Sequence, residues 1–185
     1  MGKAPKRRNI AATKARILDA AKQAFTFGGY SQTGIRDIAE IADVSSTLLL
    51  KHFGSKAGLF EAALREAMSL DEVLSQDKAQ FGRHLADLLT REGFDVTPPV
   101  LVAVTSAEPE ARDIAARVTQ ERLVAPLADW LGAPDGAARA LEIAMLATGF
   151  VIYARQLPLA LSARRKNALK AWLAEAVQRV VDRDA

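Results

Sequence analysis

Apolar residues recur along the chain every three or four positions, which is the spacing of one face of an α-helix. The first helical segment is expected to end at Gly28 and Gly29. Shorter segments follow over residues 33–41, from Ser45 to Gly54, and onward from Ser55. The sequence contains no run of alternating apolar and polar positions long enough to predict a strand. The pattern therefore predicts an all-α protein.

Longer helical segments are predicted in the rest of the chain. They cover 77–93, a stretch ending at 104, 108–132, 135–155 and 162–182. The segment 108–132 contains Pro126, where we expect a kink because proline lacks a backbone donor and clashes with the preceding turn.

The last two predicted helices carry more apolar surface than one core-facing side needs. A helix that is apolar around much of its circumference is usually buried on two sides. Either the same chain covers both sides or a second subunit covers one. We favour a second subunit, because this helix pair ends the chain, and expect a four-helix interface in a homodimer. The candidate interface residues are Leu141, Phe150, Leu169, Trp172, Leu173, Val177 and Val180.

Charge is unevenly distributed along the chain. Residues 1–56 contain ten Lys/Arg and four Asp/Glu, a net charge of +6, whereas the remaining residues have a net charge of −3. A basic end favours a polyanionic partner such as nucleic acid, although a membrane surface or a solvated tail also fits it. We expect a basic flexible arm over 1–10, containing Lys3, Lys6, Arg7 and Arg8, a DNA-binding domain over 11–55, and a larger helical domain over 56–185.

Several classes of function are disfavoured by composition. The chain has no Cys, which excludes disulfides and thiolate catalysis. Its two histidines, His52 and His84, lie far apart without a carboxylate cluster, so we expect no metal site. No Ser/His/Asp motif or Walker loop occurs, and we expect neither an enzyme nor a cofactor. No uninterrupted apolar run reaches about 18 residues, so we expect no membrane span, and without a signal core we expect a cytoplasmic location.

Residues 33–56 have the pattern of a helix-turn-helix. Ala39 is small where two helices would cross, Asp43 lies where the turn needs a left-handed conformation, and Leu49 would be the buried anchor of the second helix. Val44 would pack beneath the turn, and Ser45 can cap the second helix.

The second helix of this motif would present its outer face to DNA. Recognition helices place their N-terminal residues at base edges in the major groove. Short hydroxyls allow close approach, and an apolar side chain can contact a thymine methyl group. We therefore expect base contacts from Ser46, Thr47 and Leu48 beside the cap Ser45. Positive charge at the far end would meet phosphates. The candidates there are Lys51, His52 and Lys56.

The preceding helix offers two further candidates. Thr33 is expected first as a helix cap and second as a phosphate contact. Arg36 can contact DNA or can pair with Glu40 on the same helix.

Residues 11–65 resemble the N-terminal domain of the tetracycline-repressor (TetR) family of bacterial transcription regulators. The resemblance runs through ILDAAKQAF, GY, TGIRDIAEIADVS and HFGSKAGLF, in the family's order and spacing. It implies a homodimer in which a small DNA-binding domain is joined to a larger domain that dimerises and binds an effector. It also implies a repressor that a small molecule releases from an inverted-repeat operator in double-stranded DNA.

Some positions match the family and others depart from it. Lys56 matches the family's phosphate-binding lysine at the start of a helix. The family usually has Gly at Asp43 and Tyr at Leu50, and often has Gly or Ala at Thr47. His52 stands where Tyr or His is common. These departures predict weaker operator binding or an altered base preference.

The family resemblance implies that some residues of the larger domain line a ligand cavity. The few charges among its aromatic residues suit an apolar ligand. Plain core packing is the alternative for each residue. The candidate pocket residues are Phe81, Leu85, Leu88, Phe94, Leu101, Val104, Trp130 and Phe150. Two other functions stay open: a non-specific or effector-independent DNA-binding protein, and a helical small-molecule-binding module without specific DNA binding.

Overall fold

A computed structural model describes the backbone of residues 4–183 and the side chains of residues 10–183. This part of the chain contains helices and turns but no strand, which confirms the all-α prediction. The α-helices are α1 (Ala4–Gln32), α2 (Ile35–Ile41), α3 (Ser46–Phe53), α4 (Lys56–Ala67), α5 (Phe81–Thr90), α6 (Thr97–Thr105), α7 (Pro109–Thr119), α8 (Ala125–Leu131), α9 (Gly136–Val151) and α10 (Ala163–Val181). A 3₁₀ turn covers Lys78–Gln80, and π-helical segments cover Gln120–Val124 and Ile152–Gln156.

The helices form two compact units. The first unit contains Met1–Ala67 and Leu101–Val118, and the second contains Met68–Val100 and Thr119–Ala185. Helix α4 and most of helix α7 thus belong to the same unit as the helix-turn-helix. The assignment of separate functions to 11–55 and 56–185 stays a prediction.

Helix α1 runs through the glycine pair that was expected to end it. Gly29 alone leaves the helical conformation, with φ of 72° and ψ of 172°, and a short helical turn follows up to Gln32. The backbone of residues 4–10 is also helical, so the expected flexible arm is not a separate segment there. Pro5 is compatible with this, since proline is tolerated in the first turn of a helix. Residues 1–3 and the basic side chains expected to form the arm lie outside the described residues.

The core of the first unit is built from α1 and α4. Phe25, Tyr30 and Phe60 form an aromatic cluster whose ring centroids lie 5.2–5.7 Å apart. Lys22 of α1 joins the two helices by an ion pair with Glu66 of α4 at 2.7 Å. These contacts fix α4, and therefore its N-terminus, relative to α1.

In the second unit α5 packs closely against α10. A Cβ atom at Gly82 would lie 2.2 Å from the carbonyl oxygen of Ala174, so only glycine permits this approach. Gln178 strengthens the contact by accepting a hydrogen bond from the Gly82 N–H at 2.9 Å. Much of the apolar surface of α5, α8, α9 and α10 joins one buried cluster.

The irregularity expected near Pro126 takes the form of the π-helical segment Gln120–Val124. The N–H of Ala125 bonds the carbonyl of Gln120, five residues earlier. Insertion of one extra residue in the turn before Pro126 relieves the clash that proline causes in a regular helix.

Four of the seven residues predicted for the dimer interface do not lie on the surface. Phe150, Leu173, Val177 and Val180 are buried in the core of the second unit and are not available to a partner. Leu169 is half-buried, whereas Leu141 and Trp172 are exposed at 43% and 48%. Spacing alone could not show which side of such apolar helices turns inward. Other exposed apolar residues of this region are Met145, Tyr153, Leu157 and Leu159.

The stretch Gly136–Gln156 is long and apolar enough to cross a membrane by length and composition, and 28% of its most apolar window is buried. One such helix is weak evidence for a span. Its charged residues tie it to the second unit instead. Arg139 is buried and donates to the carbonyl groups of Gly132 at 2.7 Å and Arg183 at 3.0 Å, and Glu142 binds Arg183 at 2.6 Å.

Candidate nucleic-acid interface

The turn between α2 and α3 is closed by Asp43 in the left-handed conformation, with φ of 51°. Its N–H donates to the carbonyl of Glu40 at 3.1 Å, and the N–H of Val44 donates to the carbonyl of Ala39 at 3.0 Å. These two bonds define a Schellman motif, in which glycine is the usual residue. Asp43 therefore fills the expected role of the turn residue, at some cost in backbone strain.

Helix α3 begins as the sequence predicts. The hydroxyl of Ser45 accepts a hydrogen bond from the N–H of Leu48 at 3.1 Å and caps the helix. Leu49 is fully buried against the rest of the unit, and Ala39 is buried on α2. Gly54 ends α3 with φ of 76°. The recognition helix is thus fixed at its start, its middle and its end.

Of the predicted base contacts, Thr47 lies exposed on the outer face of α3, and Ser46 and Leu48 lie at its edges. Ser45, Thr47, Leu50 and Lys51 are exposed, whereas Ser46, Leu48 and His52 are half-buried. Leu50, where the family usually has tyrosine, is 42% exposed and offers no hydroxyl to a phosphate. The structure therefore brings hydroxyl, apolar and cationic groups together on one side of α3.

Thr33 does not act as the predicted helix cap. It is 5% exposed, and its hydroxyl lies 2.6 Å from the carbonyl oxygen of Gly29 and 3.1 Å from that of Ala24. Gly34 occupies the N-cap position of α2, and its N–H donates to Asp37 at 2.9 Å. Because its hydroxyl is committed inside the unit, Thr33 is corrected from a contact residue to a structural one. Arg36 is exposed on α2.

Lys56 opens α4, where free N–H groups favour anions. The preceding residue, Ser55, caps α4 by accepting from the N–H of Gly58 at 3.0 Å. The Lys56 ammonium lies 4.5 Å from the centroid of the Tyr30 ring and 3.4 Å from the carbonyl oxygen of Ser31. Tyr30 and Ser31, at the end of α1, thus contact the side chain of Lys56, the predicted phosphate-binding lysine.

Two positioning features were missed by the sequence reasoning. Gly58 lets α4 approach α3, because a Cβ there would lie 2.2 Å from the carbonyl oxygen of Phe53. The motif HFGSKAGLF contained this glycine, but its spacing gave no sign of the contact. Glu108 binds the Tyr30–Ser31 segment from 77 residues away, and no local pattern could reveal that contact.

Helix α7 is also tied to α4. Arg117 makes two hydrogen bonds to the carboxylate of Glu61, at 2.7 and 2.8 Å, and Arg65 adds a third at 2.9 Å. The hydrogen bonds from Arg117 and then Arg65 lower the pKa of Glu61 to about 2. Paired, two-point contacts of this kind fix orientation as well as distance.

A helix-turn-helix carried by an all-helical chain defines a helical DNA-binding protein as the class. Residues 17–63 match the family model described as bacterial regulatory proteins, tetR family, and residues 79–181 match the tetracyclin repressor-like, C-terminal domain. The second match alone covers more than half of the chain. The chain belongs to the TetR family of bacterial regulatory proteins.

Curated relatives match this chain over part of its length. The HTH-type transcriptional regulator RutR of Escherichia coli K12 is 41% identical over 63 residues, which are 34% of this chain and 30% of RutR. The HTH-type transcriptional repressor BdcR of the same organism is 30% identical over 110 residues, covering 53% of this chain and 55% of BdcR. The chain thus spans about a third to a half of these relatives.

Solved structures share the fold over nearly the whole chain. A TetR-family transcriptional regulator from Rhodococcus sp. superimposes with a TM-score of 0.73 at 21% identity, covering 93% of this chain and all of that one. At this identity the likeness is one of fold. The curated relatives RutR and BdcR are named as a transcriptional regulator and a transcriptional repressor.

Proposed function

We propose that this protein is a sequence-specific DNA-binding transcriptional regulator that acts as a repressor. The observation that carries the proposal is the capped recognition helix α3, which exposes Thr47 and Lys51 beside the anion-favouring start of α4 at Lys56. The name of the relative BdcR as a repressor supports the direction of regulation.

Contacts with DNA are proposed in two groups. Ser46, Thr47 and Leu48, near the start of α3, would lie at base edges in the major groove, because that end of a recognition helix enters the groove. Lys51, His52 and Lys56 would bind phosphates, which gives affinity without sequence preference. Arg36 would add a phosphate or guanine contact, and Ser45 would keep its capping role at the protein–DNA boundary.

We propose that the protein acts as a homodimer on an inverted repeat. A symmetric dimer presents two recognition helices to half-sites about one helical turn apart, roughly 34 Å. The proposed contact surface consists of the exposed apolar side chains of α9 and α10. These are Leu141, Met145 and Trp172, with Leu169 beside them.

The effector is proposed to be a small apolar molecule bound within the helical second unit. The buried cluster of this unit includes Phe81, Leu85 and Phe150. Two partly buried residues, Phe94 and Trp130, pack against it, and Leu88 of α5 is also buried. Leu101 and Val104 belong to the first unit, and Val104 is 41% exposed. A ligand would release DNA only if it binds two conformations with different affinities. Like other TetR-family regulators, the protein is proposed to work in the cytoplasm.

Selection of bound duplexes from a random DNA library, with purified protein at moderate salt, tests this proposal. An enriched inverted repeat is the expected result, and its half-site spacing measures the dimer geometry. Recovery of DNA without a motif would instead indicate non-specific phosphate binding and an architectural role. Recovery of no DNA, from protein freed of small molecules by unfolding and refolding, would indicate a helical small-molecule-binding module.

A further inference from the structure

Two carboxylates from the start of α7 hold the short turn that follows the kink in α1. Glu108 accepts hydrogen bonds from the N–H of Tyr30 at 2.8 Å, from the N–H of Ser31 at 2.5 Å, and from the Ser31 hydroxyl. Glu110 accepts one from the Tyr30 phenol at 2.7 Å. The chain leaves the helical conformation at Gly29, directly before these two residues. Glu108 thus binds the N–H groups of both residues that follow the kink.

Lys56 rests on the same two residues. Its ammonium lies over the Tyr30 ring, a favourable cation–π arrangement, and donates to the Ser31 carbonyl. The Ser31 hydroxyl is the largest cause that lowers the pKa of Glu108, and the charge of Lys56 contributes to the same shift. The location of the Lys56 ammonium therefore depends on Tyr30 and Ser31 as well as on α4.

We propose that Glu108 is a positioning residue for the phosphate contact of Lys56. Glu108 fixes Tyr30 and Ser31, and these hold the ammonium of Lys56 at the start of α4. The inference rests on the proposed function and adds to it a residue outside the helix-turn-helix. Loss of Glu108 should weaken binding to every duplex and leave the base preference unchanged, because Lys56 meets a phosphate and not a base.

An opposite effect is expected if Glu108 acts only through its charge. A carboxylate near a phosphate-binding lysine repels DNA, so its removal would raise affinity. Glu108→Gln separates the two explanations. Glutamine has one acceptor oxygen for the two N–H groups that the carboxylate serves. With one of these hydrogen bonds lost, we expect DNA affinity to fall about three- to tenfold.

Glu110→Gln is the matched control. It removes the same charge from the same turn but leaves an acceptor for the Tyr30 phenol. We expect its DNA affinity to be unchanged or slightly higher than that of the parent protein. Ser31→Ala removes only the hydroxyl bond to Glu108, and we expect a smaller loss of affinity in the same direction as Glu108→Gln.

The deciding experiment is a double-mutant cycle of Glu108→Gln and Lys56→Ala, with titration of the selected duplex and of an unrelated duplex at several salt concentrations. Circular dichroism and thermal unfolding show that each variant is folded at the assay temperature. We expect Glu108→Gln to cause no further loss of DNA affinity once Lys56 is alanine. In the protein that keeps Lys56, we expect Glu108→Gln to give a smaller salt slope than the parent protein has.

Three results would overturn the inference. Equal losses from Glu108→Gln with and without Lys56 would mean that Glu108 does not act through that lysine. A gain in affinity matching that of Glu110→Gln would reduce Glu108 to a repelling charge. If Lys56→Ala alone left DNA binding unchanged, Lys56 would not contact a phosphate. The proposed function itself would be refuted by a different result, the absence of DNA binding by the parent protein.

Discussion

Gly58 controls how closely α4 approaches the recognition helix, and Gly58→Ala tests this contact. The alanine Cβ would lie 2.2 Å from the carbonyl oxygen of Phe53, the last residue of α3. Carbon–oxygen contacts normally begin at about 3.3 Å, so the start of α4 would have to move by about 1 Å. Leu49, Leu59 and Phe60 are fully buried around this contact and leave little room for the movement.

Overpacking of this kind costs about 1–3 kcal/mol, and the rigid surroundings place Gly58→Ala toward the upper end. For a chain of this size, each kcal/mol lowers Tm by about 2–4 °C. Movement of α4 would also displace Lys56 at its start. We therefore expect a lower Tm, and a lower affinity for DNA at temperatures where the variant is still folded.

Calorimetry measures the stability change, and titration of the selected duplex measures affinity. Gly54→Ala is the control from the same loop. Gly54 has φ of 76°, but a Cβ atom added to it would meet nothing within 4 Å. Only its positive-φ backbone, with ψ of −50°, therefore opposes the change, at about 1–3 kcal/mol. A Gly58→Ala variant with the parent's Tm and affinity would refute the spacing of α3 and α4 described above.

Three further results are expected. Lys56→Ala should weaken binding to all duplexes and reduce the salt slope by about 1.8, which is about 0.9 for each subunit of the proposed dimer. Titration at several salt concentrations measures the slope, and an unchanged slope would argue against a phosphate contact. Thr47→Ala should change the bases selected, at about 1–3 kcal/mol per lost contact, and an identical selected motif would place the base contact elsewhere. Glu61→Gln should reduce the loss of stability between pH 4.5 and about 2, which denaturant titration at each pH measures. The lowered pKa of Glu61 stabilises the folded protein above this pH range, and that contribution disappears as the carboxylate is protonated. Equal acid sensitivity of parent and variant would mean that Arg117 and Arg65 do not shift that pKa.

Local signals were enough to predict the helix-turn-helix. The left-handed turn at Asp43, the cap at Ser45, the buried Leu49 and the helix end at Gly54 each follow from residues within a few positions of one another. Capping and left-handed turns depend on adjacent side chains and backbone groups, so a sequence contains most of the information about them.

Thr33 shows where the same reasoning fails. A threonine before a helix is a reasonable N-cap, but here its hydroxyl bonds the end of α1 and Gly34 takes the cap position. The competing acceptors, the carbonyl groups of Gly29 and Ala24, became available only because α1 kinks and continues. Capping preference is a local rule, and a nearby helix end overrode it.

The faces of α9 and α10 could not be assigned for a different reason. Both helices have apolar residues on more than one side, so the 3.6-residue period does not select an inward side. The deciding contacts include Gly82 against Ala174 and the buried Arg139 against the carbonyl group of Arg183, and each joins residues distant in sequence. These contacts turn Leu173 and Val177 inward and leave Trp172 exposed.

Long-range contacts in the first unit have a direct consequence for the proposed reading of DNA. Glu61 binds Arg117, and Tyr30 and Ser31 bind Glu108, so residues of α7 and its start hold both α4 and the end of α1. Lys56 lies between these two attachments, at the start of α4 and over Tyr30. A change in α7 is therefore expected to alter the proposed phosphate contact of Lys56 without altering any residue of α3. On this proposal, affinity and base preference vary independently.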